Sequence, residues 1–171
     1  MSLTRLKNRA IAKIITRFPS LSRRLVDSYH PWESEDIPWT PVSKPLEESV
    51  VAMVTTAGVH HKDQKPFDME DPNGDFTYRI IDGKRPVSSL MITHDYYDHS
   101  DADRDINIVL PVERLGEMAS AGKIGGVAER HYSFMGHIDG PYISTLIEET
   151  GTEVAHFLKE EGADAVLLTP G

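Results

Sequence analysis

The chain has 171 residues, 39% of them hydrophobic and 26% charged, which is enough for one globular domain with a core and too little for two full ones. It contains no cysteine, which excludes a disulfide, a thiolate metal site or a thiol nucleophile within these residues. The net charge of −9 is uneven, with seven bases and no acids in residues 1–24 and 11 bases against 27 acids, or −16, in the remainder; an acidic body of that kind disfavours nucleic acid as a partner.

In chain order, the first predicted element is an amphipathic helix. Leu3, Leu6, Ala10, Ile11, Ile14, Ile15 and Phe18 recur at three- and four-residue spacing among Arg5, Lys7, Arg9, Lys13 and Arg17, and Pro19 breaks the pattern. Docking on an acidic protein surface suits such an arm, and attachment to a membrane surface is the alternative. No apolar run approaches the roughly 20 residues of a membrane span, and no secretory apolar stretch opens the chain, so the expectation is a cytoplasmic protein. Pro31, Pro38, Pro41 and Pro45, with Trp32 and Trp39, then predict an extended connector, dividing the chain into an arm over 1–45 and a domain over 46–171.

From Val50 the pattern becomes that of an α/β domain. Val50–Val54 reads as a buried strand with Gly58 in the loop behind it, residues 60–105 are polar and turn-rich, and Ile106–Leu110 carries a weaker strand signal. Pro111 suits the first turn of a helix bearing Val112, Leu115, Met118 and Ala119, which Gly122 ends. Ile124–Ala128 is a third apolar segment, with Glu129–Gly136 as the following loop. Thr150 and Glu153 have capping-box spacing before a helix with Val154, Ala155 and Leu158, and a last strand over Ala163–Leu168 precedes Thr169-Pro170-Gly171. Strands alternating with helices predict a three-layer α/β fold, flavodoxin- or racemase-like, with a mostly parallel sheet and helices on both faces. The loops after Val54, Ala128 and Leu168 should then gather at one edge, with the N-terminal helix packed away from it.

The densest chemical cluster is His94–Asp105, with two histidines and five aspartates in twelve residues. A calcium loop is excluded by Ile106 and Val112 at the positions that demand Gly and Glu. A divalent site on His94 and His99, a solvated acidic loop, and an active-site or subunit-interface loop all stay open; His94, Asp98, His99 and Asp103 are the candidates. His60 follows the first strand, and His131 with Tyr132 and Ser133 follows the third. In a parallel sheet these groups can share a pocket and serve as acid/base or carboxylate-binding residues. No glycine-rich phosphate motif is present, so nucleotide binding is set aside.

Several segments together carry a resemblance to a known family: Val51–His60, Gly74–Ile80, His94–Asn107, Glu148–Gly151 and Leu158–Gly171. In this order they resemble the selenoprotein B subunits of the glycine, sarcosine, betaine and D-proline reductases, over about residues 40–171, and the D-proline type most. The resemblance implies reductive cleavage of a C–N bond in a small amino-acid substrate. It implies a partner subunit whose pyruvoyl group forms a Schiff base with the substrate amine, and a homo-oligomer is a further expectation. In that family a strand ending Leu-Thr-x-Gly leads into selenocysteine-x-x-cysteine, so a selenocysteine is expected directly after Gly171, and residues 1–171 alone are expected to be inactive. The alternative from another class is a non-catalytic binding or assembly module. A racemase- or flavodoxin-like enzyme is weakened by the absence of the paired cysteines such racemases use.

Overall fold

The computed structural model describes residues 2–18 and 40–171; the expected break at Pro19 and most of the proline-rich connector lie outside them. The apolar run at Val50 forms β1 (Val50–Thr55), the centre of the fold. It pairs in parallel with β7 (Ala165–Thr169) on one side, and with β5 (Gly126–Val127) and β6 (Arg130–Ser133) on the other. β3 (Arg79–Asp82) lies antiparallel beside β6. The sheet is therefore mixed: its pairings around β1 are parallel, as expected of a mostly parallel sheet, and β3 is the antiparallel edge that the expectation did not include. A separate antiparallel pair, β2 (Val59–His61) with β4 (Leu90–Ile92), stands beyond the end of β1.

Side-chain alternation along β1 divides the core. Val51 and Met53 join a cluster with Leu110, Leu115 and Ile124, while Ala52 packs with Tyr132, Val154 and Leu158. Leu115 belongs to α2 (Val112–Ser120), and Val154 and Leu158 to α4 (Gly151–Glu160). Burying a side chain the size of Met53 or Leu110 contributes about 1.5–3 kcal/mol, so these contacts fix both helices against the sheet.

Three local readings change. Ile106–Ile108 is a 3-10 turn rather than a strand, because the Asp105 carboxylate accepts from the Asn107 N–H and turns the backbone. Arg130–Ser133 is a strand and not a loop, so His131 and Tyr132 point to opposite faces of the sheet. The helix expected to start at Thr150 starts earlier: α3 (Tyr142–Thr145) runs through a π turn at Leu146–Thr150 into α4. The Thr150 hydroxyl donates to the Phe76 carbonyl at 2.9 Å and makes no cap.

The register of β1 holds a further detail. Gly126 pairs with Val50, an offset of 76 (126 − 50), whereas Tyr132 pairs with Val54, an offset of 78 (132 − 54). Two extra residues are thus accommodated between β5 and β6 as a bulge. Beside it the Met53 N–H donates to His131 Nδ1 at 3.1 Å.

The N-terminal helix, α1 (Leu3–Arg17), forms as expected with Ser2 as its cap. Its docking is not the expected one. Ala12 is buried and Arg5 half-buried, while Leu3, Leu6, Ile11, Ile14 and Phe18 stay exposed. Arg5 pairs with Asp95, beyond the carboxyl end of β1, so the helix sits at that end of the sheet and not away from it.

Candidate functional site at the end of β1

Three chain segments converge on Thr55–Gly58. From β7, the Thr56 N–H donates to the Thr169 carbonyl at 3.0 Å, and the Gly171 N–H donates to Thr56 Oγ1 at 3.3 Å. From the segment after β6, the Phe134 carbonyl accepts from the Gly58 N–H at 2.9 Å; from the segment after β4, the Thr93 N–H donates to the Gly58 carbonyl at 2.9 Å. The Thr55 and Thr169 hydroxyls both donate to the Val109 carbonyl, at 3.0 and 2.7 Å, which ties the ends of β1 and β7 to one acceptor.

Glycine is required where these backbones touch. Gly136 has φ +85, and a methyl group there would stand 2.5 Å from the Thr56 carbonyl oxygen; one on Gly171 would stand 2.7 Å from Ala57 Cα. The segments are held together by backbone contact, leaving side chains at the rim to meet a ligand.

His94, Asp98, His99 and Asp103 are brought together at this rim. His94 is buried, and its Nδ1 accepts from the Tyr96 N–H at 3.1 Å. Burial, with the nearby His99 and His137, lowers its pKa to about 4, so the ring is neutral at pH 7. It packs edge-on against Tyr97, 4.7 Å between ring centroids, and the Tyr97 hydroxyl donates to the Ala57 carbonyl at 3.1 Å. Burial drives the Tyr97 phenol far above its usual range, so it stays a donor. His99 Nδ1 lies 2.8 Å from an Asp103 carboxylate oxygen, a couple that orients the imidazole. Asp98 is held below its usual range by hydrogen bonding from Ser100. Arg9 and Lys13 of α1 join Tyr97, Asp98, His99 and Asp103 around a cleft of about 110 Å³.

The same helix supplies the strongest ion pair here. Arg5 Nε donates to Asp95 at 2.5 Å and a second guanidinium nitrogen reaches the other oxygen at 3.3 Å, with the Asp95 side chain only 3% exposed. The carboxylate raises the Arg5 pKa in turn. Charge separation along the chain, basic at the start and acidic at 95–103, is answered within one molecule.

The other expected site residues go elsewhere. His60 is buried with both nitrogens engaged: Nδ1 donates to the His61 carbonyl and Nε2 accepts from the Thr93 hydroxyl, each at 2.8 Å. Burial lowers its pKa, and it serves to brace β2 against β4. Ser133 is buried opposite Thr55 at the strand end. Tyr132 faces α4, donating to Glu161 at 2.8 Å. His131 faces the side of α2, in a different cavity from the His94–Asp103 group.

Sequence reasoning passed over Thr55, Thr56, Thr169, Gly136, Arg5, Asp95 and Tyr97. The threonines carried a signal, since hydroxyls at the carboxyl ends of two apolar strands stand where a parallel pair places its working loops. Among the described residues, no group of three metal-ligating side chains is placed to hold a metal ion, and no helix is long and apolar enough to cross a membrane.

Comparison with known proteins adds the family. The glycine/sarcosine/betaine reductase selenoprotein B family matches residues 5–171. The chain is 44% identical over 133 residues to the D-proline reductase subunit gamma of Acetoanaerobium sticklandii, covering 78% of this chain and 53% of that protein. It is 31% identical over 135 residues to the glycine reductase complex component B subunit gamma of Carboxydothermus hydrogenoformans, covering 78% of this chain and 30% of that protein. With the betaine reductase complex component B subunit beta of Peptoclostridium acidaminophilum it shares 29% over 132 residues, 74% and 29% of the two chains. The chain thus spans about half the length of the first of these relatives and about a third of the other two. No solved structure matches it.

Proposed function

The chain belongs to the glycine/sarcosine/betaine reductase selenoprotein B family, and we propose that it is the amino-terminal part of the substrate-reducing subunit of a D-proline-type reductase. The observation that carries the reading is the 44% identity to the D-proline reductase subunit, against 31% and 29% to the glycine and betaine relatives. Reductive cleavage of the Cα–N bond consumes two electrons and two protons, with hydrogen added to carbon and the nitrogen released as an amine. A pyruvoyl group on a partner subunit supplies the carbonyl that activates the substrate nitrogen. Residues 1–171 contain no cysteine; in this reading the redox nucleophile is the selenol that the family resemblance implies, supplied from outside these residues, and the carboxyl ends of β1 and β7 are where it would work.

The residues at that end have parts that fit this chemistry. Thr55 and Thr169, both anchored on Val109, hold the two strand ends in register. His99, oriented by Asp103, is suited to passing one of the required protons, and Arg9 and Lys13, set among the carboxylates of Asp98 and Asp103, are the cations of the cleft that a substrate carboxylate would meet. The test is binding of this chain to an isolated pyruvoyl-bearing D-proline reductase subunit by titration calorimetry. A saturable complex that Asp103→Asn and Lys13→Ala leave intact, while both slow turnover of the assembled enzyme, supports the reading. Absence of any complex refutes it.

A further inference from the structure

α1 rests on the body by its less apolar side. At 3.6 residues per turn Arg5, Asn8, Ala12 and Ile15 share one face, and within the helix these are the residues that are buried or half-buried. Leu3, Leu6 and Ile14, with the C-cap Phe18, lie on the opposite face and are exposed at 88%, 56%, 49% and 56%. Lys7 and Arg17 stand exposed on that outward face too, and neither makes an ion pair among the described residues. The Arg5–Asp95 ion pair fixes the orientation, so the apolar stripe cannot turn onto its own body. Left in water, it forgoes the contribution that burial gives.

Beside the helix is a groove of about 520 Å³ lined by β4 and the 3-10 turn at Ile106–Ile108. Val87, Met91 and Ile106 form its accessible apolar floor, and Asp103, Asp105 and Glu113 stand exposed on its rim. Asp103 also lines the cleft that holds Arg9 and Lys13, so helix and groove are neighbours. Asp105 and Glu113 accept from the neutral Asn107 amide at 2.9 and 2.7 Å, and among the described residues no cation pairs with either. The groove's own cations are engaged: Lys62 donates to the Ser88 carbonyl at 2.8 Å, and Arg104 pairs with Asp101 at 2.9 Å.

We infer that two copies of this chain associate about a two-fold axis, each seating the outward stripe of its α1 in the other's groove, with Lys7 and Arg17 against Asp103, Asp105 and Glu113. A basic apolar ridge beside an acidic apolar groove is self-complementary, which is what a two-fold interface requires. Charge selects the occupant, since residues 1–24 carry seven bases and no acid while the remainder carries −16. An anionic membrane surface suits the stripe alone, but it would meet the acidic rim beside the helix, where like charges oppose approach. The interface does not rest on the reductase reading, because it uses the side of α1 opposite to the Arg5–Asp95 pair.

The experiment is sedimentation velocity over a concentration range, with Leu168→Lys in every chain so that the exposed β7 takes no part. The parent dimerises, and Leu6→Ser with Ile14→Ser, both on the exposed side of α1, weakens the dimer at least tenfold. Charge reversal then identifies the two surfaces. Lys7→Glu with Arg17→Glu in one chain, and Glu113→Lys with Asp105→Asn in another, each weaken self-association at least tenfold, and mixing the two chains restores a dimer, because each helix now meets a groove of opposite charge. Circular dichroism checks that each chain is folded; if the groove variant is not, the two α1 variants decide. The proposal is overturned if the parent is monomeric at about 100 μM, if the folded α1 variants dimerise as the parent does, or if the folded charge-reversed chains stay apart when mixed.

Discussion

Acidification should destabilise this fold well before its carboxylates titrate. His94 and His131 both drop from the ordinary histidine value of 6.5 to about 4 on folding, with burial the largest cause for each. Between these two values the unfolded chain binds more protons than the folded one, so stability is complete above pH 6.5 and falls as pH falls towards 4. At pH 5 each ring removes about 2 kcal/mol, giving about 4 kcal/mol together, and His60 and His61 are shifted in the same direction. That is a large share of the roughly 5–15 kcal/mol of a typical domain. With a urea m-value of about 2 kcal/mol/M, the unfolding midpoint should fall by about 2 M between pH 7 and pH 5. His94→Gln and His131→Gln should each remove about half of this pH dependence whatever they do to stability at pH 7. A midpoint that is the same at pH 7 and pH 5, or a double variant with the parent's full pH dependence, would refute the reasoning.

Three further outcomes are expected. Arg5→Met leaves the Asp95 carboxylate buried without its ion pair, which costs about 1.5–3 kcal/mol; α1 should be released, read as faster proteolysis within residues 3–17, and Asp95→Asn should release it less. Thr169→Val and Thr55→Val each remove one hydroxyl from the Val109 carbonyl and should each cost about 1 kcal/mol, the double variant costing more than the sum because the carbonyl loses both donors; strict additivity in chemical denaturation would count against a shared acceptor. Val166, Leu167 and Leu168 of β7 are exposed, Leu168 at 72%; the chain should therefore self-associate in light scattering over a concentration range, and Leu168→Lys should shift it towards monomer.

Strong periodicity was legible in the sequence, and weak or compensated patterns were not. β1, α2, α4 and β7 follow from apolar runs and stripes long enough to bury themselves. β2, β3 and β4 are three or four residues long, and their polar members, such as His60, His61 and Arg79, find partners inside the fold that no local pattern announces. Arg130-His131-Tyr132-Ser133 reads as a loop because its two large side chains are polar. In the fold, His131 completes the ladder at a bulge and Tyr132 spans the opposite face to Glu161. Thr150 and Glu153 have the spacing of a cap, yet tertiary packing extends the helical stretch back to Tyr142 and leaves Thr150 inside it. The acidic loop was visible as chemistry. Its meeting with the basic helix across ninety residues required the fold, since charge asymmetry says that an arm will be attracted and not where it lands.

The central proposal is that this chain contributes to reductive opening of D-proline only as part of a larger assembly, and the most direct measurement is product formation by mass spectrometry. Residues 1–171 alone, the complete reductase containing this sequence, and the complex lacking this subunit would each be given D-proline and a dithiol reductant. The account predicts ring-opened product, two hydrogens heavier than proline, from the complete complex only, and far less turnover with glycine, sarcosine or betaine. Product from residues 1–171 alone, or equal product from the complex lacking this subunit, would contradict it.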